Sequence, residues 1–123
     1  GWKERQCKAT VAEGILSLKG SGKTGTAFLG HAMPKLVGPA VVKLRIKSAT
    51  GGPAKIDHLP KTSADPAQVI STPFEISAGD WQELEVRLST RGNLGTMRVY
   101  LPDAEVDWID VKPEKGRSER WDF

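Results

Sequence analysis

An all-β jelly-roll β-sandwich, two antiparallel sheets of about nine or ten short strands, is the fold this chain predicts. Three observations carry it. The 123 residues include 13 glycines and 8 prolines, enough punctuation for many turns. No long stretch holds a 3.6-residue apolar period without a Gly or Pro interrupting it, which excludes a helix of useful length. The two-residue alternation, by contrast, is strong: Val42, Leu44 and Ile46 face one way and Lys43, Arg45 and Lys47 the other within 41–48.

Taken in order, residues 6–11 and 14–19 form a hairpin around Ala12-Glu13-Gly14, with Ile15, Leu16 and Leu18 supplying core. Gly20 to Thr26 is a loop and Ala27-Phe28-Leu29 a short strand. Pro34, Gly38 and Pro39 punctuate a connection to the clear strand at 41–48. Gly51-Gly52-Pro53 turns into a strand over 54–59, and Pro60 to Pro66 is a polar loop. Val69 and Ile70 begin another strand, and Phe74-Glu75-Ile76 alternates. After the Ala78-Gly79-Asp80 turn, three strands follow between Trp81 and Val111. In the first, Leu84, Val86 and Leu88 face inward; in the second, Met97, Val99 and Leu101 do. The third, Glu105 to Val111, mixes acids into an apolar run, with 107, 109 and 111 on one face and 106, 108 and 110 on the other.

The length suits one domain with a real core, 1–123, and is too short for two. Hydrophobic residues at 38% and charged residues at 27% are ordinary for a globular protein. The net charge of +3 is spread along the chain without basic clusters or interleaved aromatics, which argues against a nucleic-acid partner. No apolar run is long enough to span a membrane as a helix, so no membrane partner is expected. The single Cys7 excludes an internal disulfide and a cysteine zinc cluster, and shares an apolar face with Ala9 and Val11. The chain starts at Gly1 without a Met or a signal peptide, the expected edge of a fragment excised from a longer protein.

Motifs for catalysis are missing. Gly20-Ser21-Gly22-Lys23-Thr24 has the ending of a phosphate-binding loop, but Ser17 stands where the first glycine belongs and a strand follows in place of a helix. His31 and His58 are the only histidines, there is no Gly-x-Ser-x-Gly elbow, and no carboxylate pair is singled out. His58 beside Asp57 reads as a hydrogen-bonded structural residue.

The candidate binding residues are aromatic and acidic. Trp81 at a strand start and Tyr100 are candidate platforms on which sugar rings stack, with Lys and Arg meeting acidic groups. Trp108 belongs to the core or its edge, and Trp121 and Phe123 are too apolar for an idle tail and should dock. Asp107, beside a core, must be paired, hydrogen-bonded or metal-bound. Its partner is either backbone N–H groups or an arginine such as Arg98, or else a structural Ca²⁺ shared with backbone carbonyls and Glu13. No other cofactor is expected.

Gly79-Asp80-Trp81-Gln82-Glu83, Leu94 to Pro102 and Val106-Asp107-Trp108-Ile109 resemble the closing strands of galactose-binding-like jelly rolls, an ending that carbohydrate-binding modules share. With Gly38 to Arg45 and the terminal Arg120-Trp121-Asp122-Phe123, the chain resembles the C-terminal β-sandwich domain of bacterial arylsulfatase-type sulfatases. That resemblance implies a non-catalytic accessory domain of a sulfatase-like hydrolase, periplasmic or extracellular. Its partners would be the parent's catalytic domain and acidic or sulfated polysaccharide. The alternative is an independent carbohydrate-binding module. The sulfatase nucleophile motif, Cys/Ser-x-Pro-x-Arg, is absent: Cys7 leads into Lys8-Ala9-Thr10, and Ser71-Thr72-Pro73-Phe74 puts Glu75 where Arg belongs.

Overall fold

A computed structural model describes residues 2–20, 27–59 and 69–123. The expected loops at 20–26 and 60–66 fall almost entirely outside them. The described residues form nine strands and no helix: β1 (Lys3–Arg5), β2 (Cys7–Ala12), β3 (Ile15–Gly20), β4 (Phe28–Lys47), β5 (Gly52–Leu59), β6 (Ile70–Ile76), β7 (Gln82–Tyr100), β8 (Ala104–Pro113) and β9 (Glu119–Asp122). All pairings are antiparallel.

Two strands are far longer than the alternation predicted. β4, of 20 residues, joins the expected strands at 27–29 and 41–48 through the Pro and Gly connection, and β7, of 19 residues, joins the first two of the three closing strands. The two pair with each other along nearly their whole length, with register shifts between Met33 and Val37 and between Gly38 and Ala40. Proline and glycine, which usually end a strand, here mark bulges at which a strand bends and continues. At Gly38 a Cβ would run into the Thr90 carbonyl oxygen, so the close approach of β4 and β7 at the bend requires glycine.

The bend makes two layers that share β4 and β7. In layer A the first part of β4 lies between β1 and the last part of β7, followed by β5 and β6. In layer B the last part of β4 lies between the first part of β7 and β8, and β8 pairs on its far side with β3 and β9, while β2 pairs with β3. Inward residues of both layers, among them Leu29, Val99 and Ile56 from A and Leu44, Val86 and Val106 from B, join one buried core. This is a jelly-roll-like sandwich, as the sequence predicted. Buried Ser48 closes one end: its hydroxyl donates to the Asp103 carbonyl at 2.7 Å and accepts from the Gly51 amide at 3.0 Å, while its carbonyl accepts from the Gly79 amide at 2.9 Å.

The alternation fails at one place in β8. Val106, Ile109 and Val111 are all fully buried, which strict parity forbids. A bulge resolves it: Arg45 pairs with Trp108 and the next residue, Ile46, with Val106, so Asp107 is the extra residue. Trp108 is thereby turned out of the core onto the outer face. Val11 departs as well, being 58% exposed in spite of sharing a face with Cys7 and Ala9. Cys7 packs against the core, where burial raises its thiol pKa. Trp121 and Phe123 dock against the core, as does Trp2.

Candidate functional site

The outer face of layer B carries an alternating row of indoles and guanidiniums across four strands. Trp81 stands just before β7, Arg45 on β4, Trp108 on β8 and Arg120 on β9. The Arg45 guanidinium lies 4.7 Å from the Trp81 ring centre, and that of Arg120 lies 4.4 Å from Trp108. Arg45 stands opposite Trp108 on one side and Glu83 on the other, so Trp81, two residues before Glu83, lies diagonal to it.

Local chemistry fixes each member of the row. The Trp81 amide donates to the Asp80 carboxylate at 2.8 Å, and the Gln82 side chain clasps Ser77 through its carbonyl and its amide, at 2.7 and 3.3 Å. These bonds set Trp81 at the mouth of the turn. Arg45 reaches Asp107, the bulge residue, at 3.2 Å, and Arg120 reaches Asp122 at 3.0 Å. Both pairs are partly solvated, so each contributes about 0–1 kcal/mol and chiefly orients the guanidinium. One acceptor is left over: Asp110 Oδ1 is buried without a hydrogen-bond partner, on the β8 residue that pairs with Lys43 of β4 and Arg120 of β9.

Layer A's outer face is built differently. Two rows of directly opposed residues run across it: Arg5, Phe28, Tyr100, Lys55 and Pro73, and beside them Lys3, Gly30, Arg98, Asp57 and Ser71. Phe28 and Tyr100 lie 4.9 Å apart, with Lys55 Nζ 4.6 Å from the tyrosine ring and the Arg98 guanidinium 5.2 Å from the phenylalanine ring. Asp57, buried at the foot of the platform, accepts from Ser71 Oγ at 2.6 Å and pairs with Lys55 at 3.3 Å.

The expected site residues are therefore divided. Trp81 belongs to the outer face of layer B and Tyr100 to that of layer A, on opposite sides of the sandwich. Asp107 lies in the layer B row, where its partner is Arg45; Arg98, named as an example from the sequence, lies in layer A. Glu13 occupies the β2–β3 turn in a left-handed conformation, φ 54°. Among the described residues no group of three or more His, Cys, Asp or Glu could hold a metal ion.

Sequence reasoning did not foresee Arg45 and Arg120 as partners of the indoles, because the bulge that brings Trp108 to them leaves no residue signature. It also missed a cluster in which Trp2, His31 and Trp121 meet pairwise at 5.1 to 5.3 Å and bring the two chain ends together. His58 is structural, as expected: buried on β5, it shares a hydrogen bond of 2.8 Å between Nε2 and Thr90 Oγ1, and desolvation lowers its pKa.

No protein-family profile and no curated protein sequence matches the chain. Solved structures do. The structure of PfGH50B superposes with a TM-score of 0.69 at 7% identity over 94% of this chain and 23% of that one. The CBM22-1–GH10 modules of Clostridium thermocellum endo-1,4-beta-D-xylanase 10B, complexed with xylohexaose, give 0.65 at 10% identity over 95% of this chain and 27% of that one. A family 29 carbohydrate-binding module from Piromyces equi gives 0.59 at 14% identity, covering 86% of this chain and 75% of that module. The chain thus spans about a quarter of the first two proteins and most of the third. At these identities the likeness is one of fold: a β-sandwich shared with carbohydrate-binding modules.

Proposed function

We propose that this chain is a carbohydrate-binding module, a non-catalytic domain that holds a saccharide chain along the outer face of layer B. The observation that carries the reading is the row Trp81, Arg45, Trp108, Arg120. Indole faces suit the apolar faces of sugar rings, and paired charges suit their hydroxyls. The guanidiniums occupy the ring faces. An exposed cation–π contact is worth about 0.5–1 kcal/mol, little enough for a sugar ring to displace. A displaced guanidinium then becomes a hydrogen-bond donor beside the ligand, and Asp110 Oδ1 an acceptor.

The similarity in fold to carbohydrate-binding modules supports this reading, and so does the lack of a catalytic motif in the sequence. A module of this kind works attached to a hydrolase acting on an extracellular polysaccharide, so a catalytic domain is its expected covalent partner. The sulfatase-type parent implied by the sequence resemblance finds no support in the similar structures named above, and the proposal does not need it.

Affinity electrophoresis against a panel of neutral polysaccharides (xylan, mannan, agarose) tests the proposal. Retardation by at least one is expected, lost by tenfold or more in Trp81→Ala and Trp108→Ala with folding intact by circular dichroism. Unretarded migration in every gel, or retardation that both variants keep, would overturn it.

A further inference from the structure

The platform on layer A is left unused by the row on layer B. Its aromatic pair, Phe28 and Tyr100, is flanked by Lys55 and Arg98, and these two cations differ. Lys55 is tied to Asp57 at 3.3 Å. Arg98 stands directly opposite Asp57 in the β5–β7 register, yet the carboxylate turns to Lys55 and to Ser71. Among the described residues the Arg98 guanidinium makes neither an ion pair nor a side-chain hydrogen bond; it lies over the Phe28 ring at 5.2 Å. Its neighbour toward the sheet edge is Gly30, with no side chain, and beyond that Lys3. The charge of the face is one-sided, with Lys3, Arg5, Lys55 and Arg98 against Asp57 and Glu75.

The geometry points to a second saccharide surface on layer A, one that takes an anionic sugar: the ring stacks on Tyr100 and Phe28, and its carboxylate or sulfate docks on the Arg98 guanidinium. A guanidinium offers a planar fork of donors that matches either group bidentately, which an ammonium cannot do. The adjoining aromatic face gives the sugar ring a place to lie while its anionic substituent is held. Lys55 and Asp57, locked together, set the platform's shape and leave Arg98 as the group that selects charge. With one surface on each side of the sandwich, a single domain can hold two polysaccharide strands at once.

This inference rests on the reading of the chain as a carbohydrate-binding module, and its test separates the two faces. The 123-residue chain is titrated by affinity electrophoresis with polygalacturonate, which carries carboxylates, with dextran sulfate, and with the neutral polymer that binds best. Arg98→Gln should weaken binding to at least one polyanion tenfold or more, Arg98→Lys should fall between it and the parent, and both should leave neutral-polymer binding unchanged. The polyanion more affected identifies the preferred anion, carboxylate or sulfate. Trp108→Ala should show the opposite pattern, losing the neutral polymer and keeping the polyanion. Three results would overturn the inference: neither polyanion binds, Arg98→Lys binds as tightly as the parent, which means diffuse charge alone, or Trp108→Ala abolishes polyanion and neutral binding together. Loss of neutral binding in the parent chain itself would strike the layer B proposal and leave the Arg98 result to be read on its own.

Discussion

The two outer faces of the sandwich share a device and use it differently. Each sets cations on aromatic rings, but in layer B both guanidiniums are also held by an acid, Arg45 by Asp107 and Arg120 by Asp122. In layer A the acid goes to the lysine, and among the described residues the arginine is left with the ring. A charge-balanced face reads hydroxyls, whereas a face with an uncommitted guanidinium reads anions. The difference follows from register: the β8 bulge adds an acid next to Arg45, and the regular β5–β7 pairing adds none that Arg98 keeps.

The two faces share one support, and the largest expected effect tests that. Leu44, fully buried on β4 in layer B, packs in the core that also supports layer A. Leu44→Ala should lower stability by about 2–5 kcal/mol. Urea denaturation should show a single transition moved to lower denaturant, with both faces losing binding together. Two separated transitions would mean that the layers are independent units with no shared support.

How much of this was legible follows from what alternation can encode. The inward sets Val42, Leu44, Ile46 and Val86, Leu88 were readable because regular pleating maps sequence parity onto faces, and they gave the sandwich without further information. Parity is silent about a bulge. One extra residue at Asp107 reverses the phase, so Trp108, which parity puts in the core or at its edge, lies on the outer face, and the arginine that pairs with Asp107 is Arg45 from the neighbouring strand. The long strands were hidden for a related reason: prolines and glycines within 34–39 and glycines at 92 and 95 look like chain breaks and are bends. Trp81 and Tyr100 stand out by residue type alone, and type does not say which side of a sandwich a residue is on.

A smaller effect distinguishes the layers by titration. Buried ionisable side chains among the described residues are Asp57 and His58, both on β5 of layer A. Desolvation lowers the His58 pKa, Asp57 opposes that shift, and Nδ1 is buried without a partner. Below the ordinary histidine value of about 6.5 the unfolded chain takes up a proton that the folded chain refuses. The unfolded state then binds more protons, so stability is complete above about pH 6.5 and falls as pH drops below it, by at most about 1.4 kcal/mol per pH unit for one group. Comparing denaturation at pH 7.5 and 5.5 for the parent and His58→Gln should show the part of the acid loss that the variant lacks. Equal losses in both would assign the acid sensitivity elsewhere.

The smallest expected change in stability makes the sharpest comparison. Asp107→Ala removes the acid from Arg45 and gives layer B the arrangement that the described residues of layer A show, a guanidinium on an aromatic ring with no acid paired to it. The pair is partly solvated, 36% and 34% exposed at its two side chains, so its loss should cost no more than about 1 kcal/mol. Binding should shift more than stability does. Released from Asp107, Arg45 can meet a carboxylate or sulfate on a sugar stacked at Trp81, and polygalacturonate or dextran sulfate should bind several-fold tighter, with the gain shrinking as salt is added. The gain should persist in an Arg98→Gln background, since it arises on the other side of the molecule, beyond the range at which neighbouring sites couple. If Asp107→Ala leaves polyanion binding unchanged, pairing of the arginine is not what divides the two faces, and the selectivity of layer A must be sought in its rings.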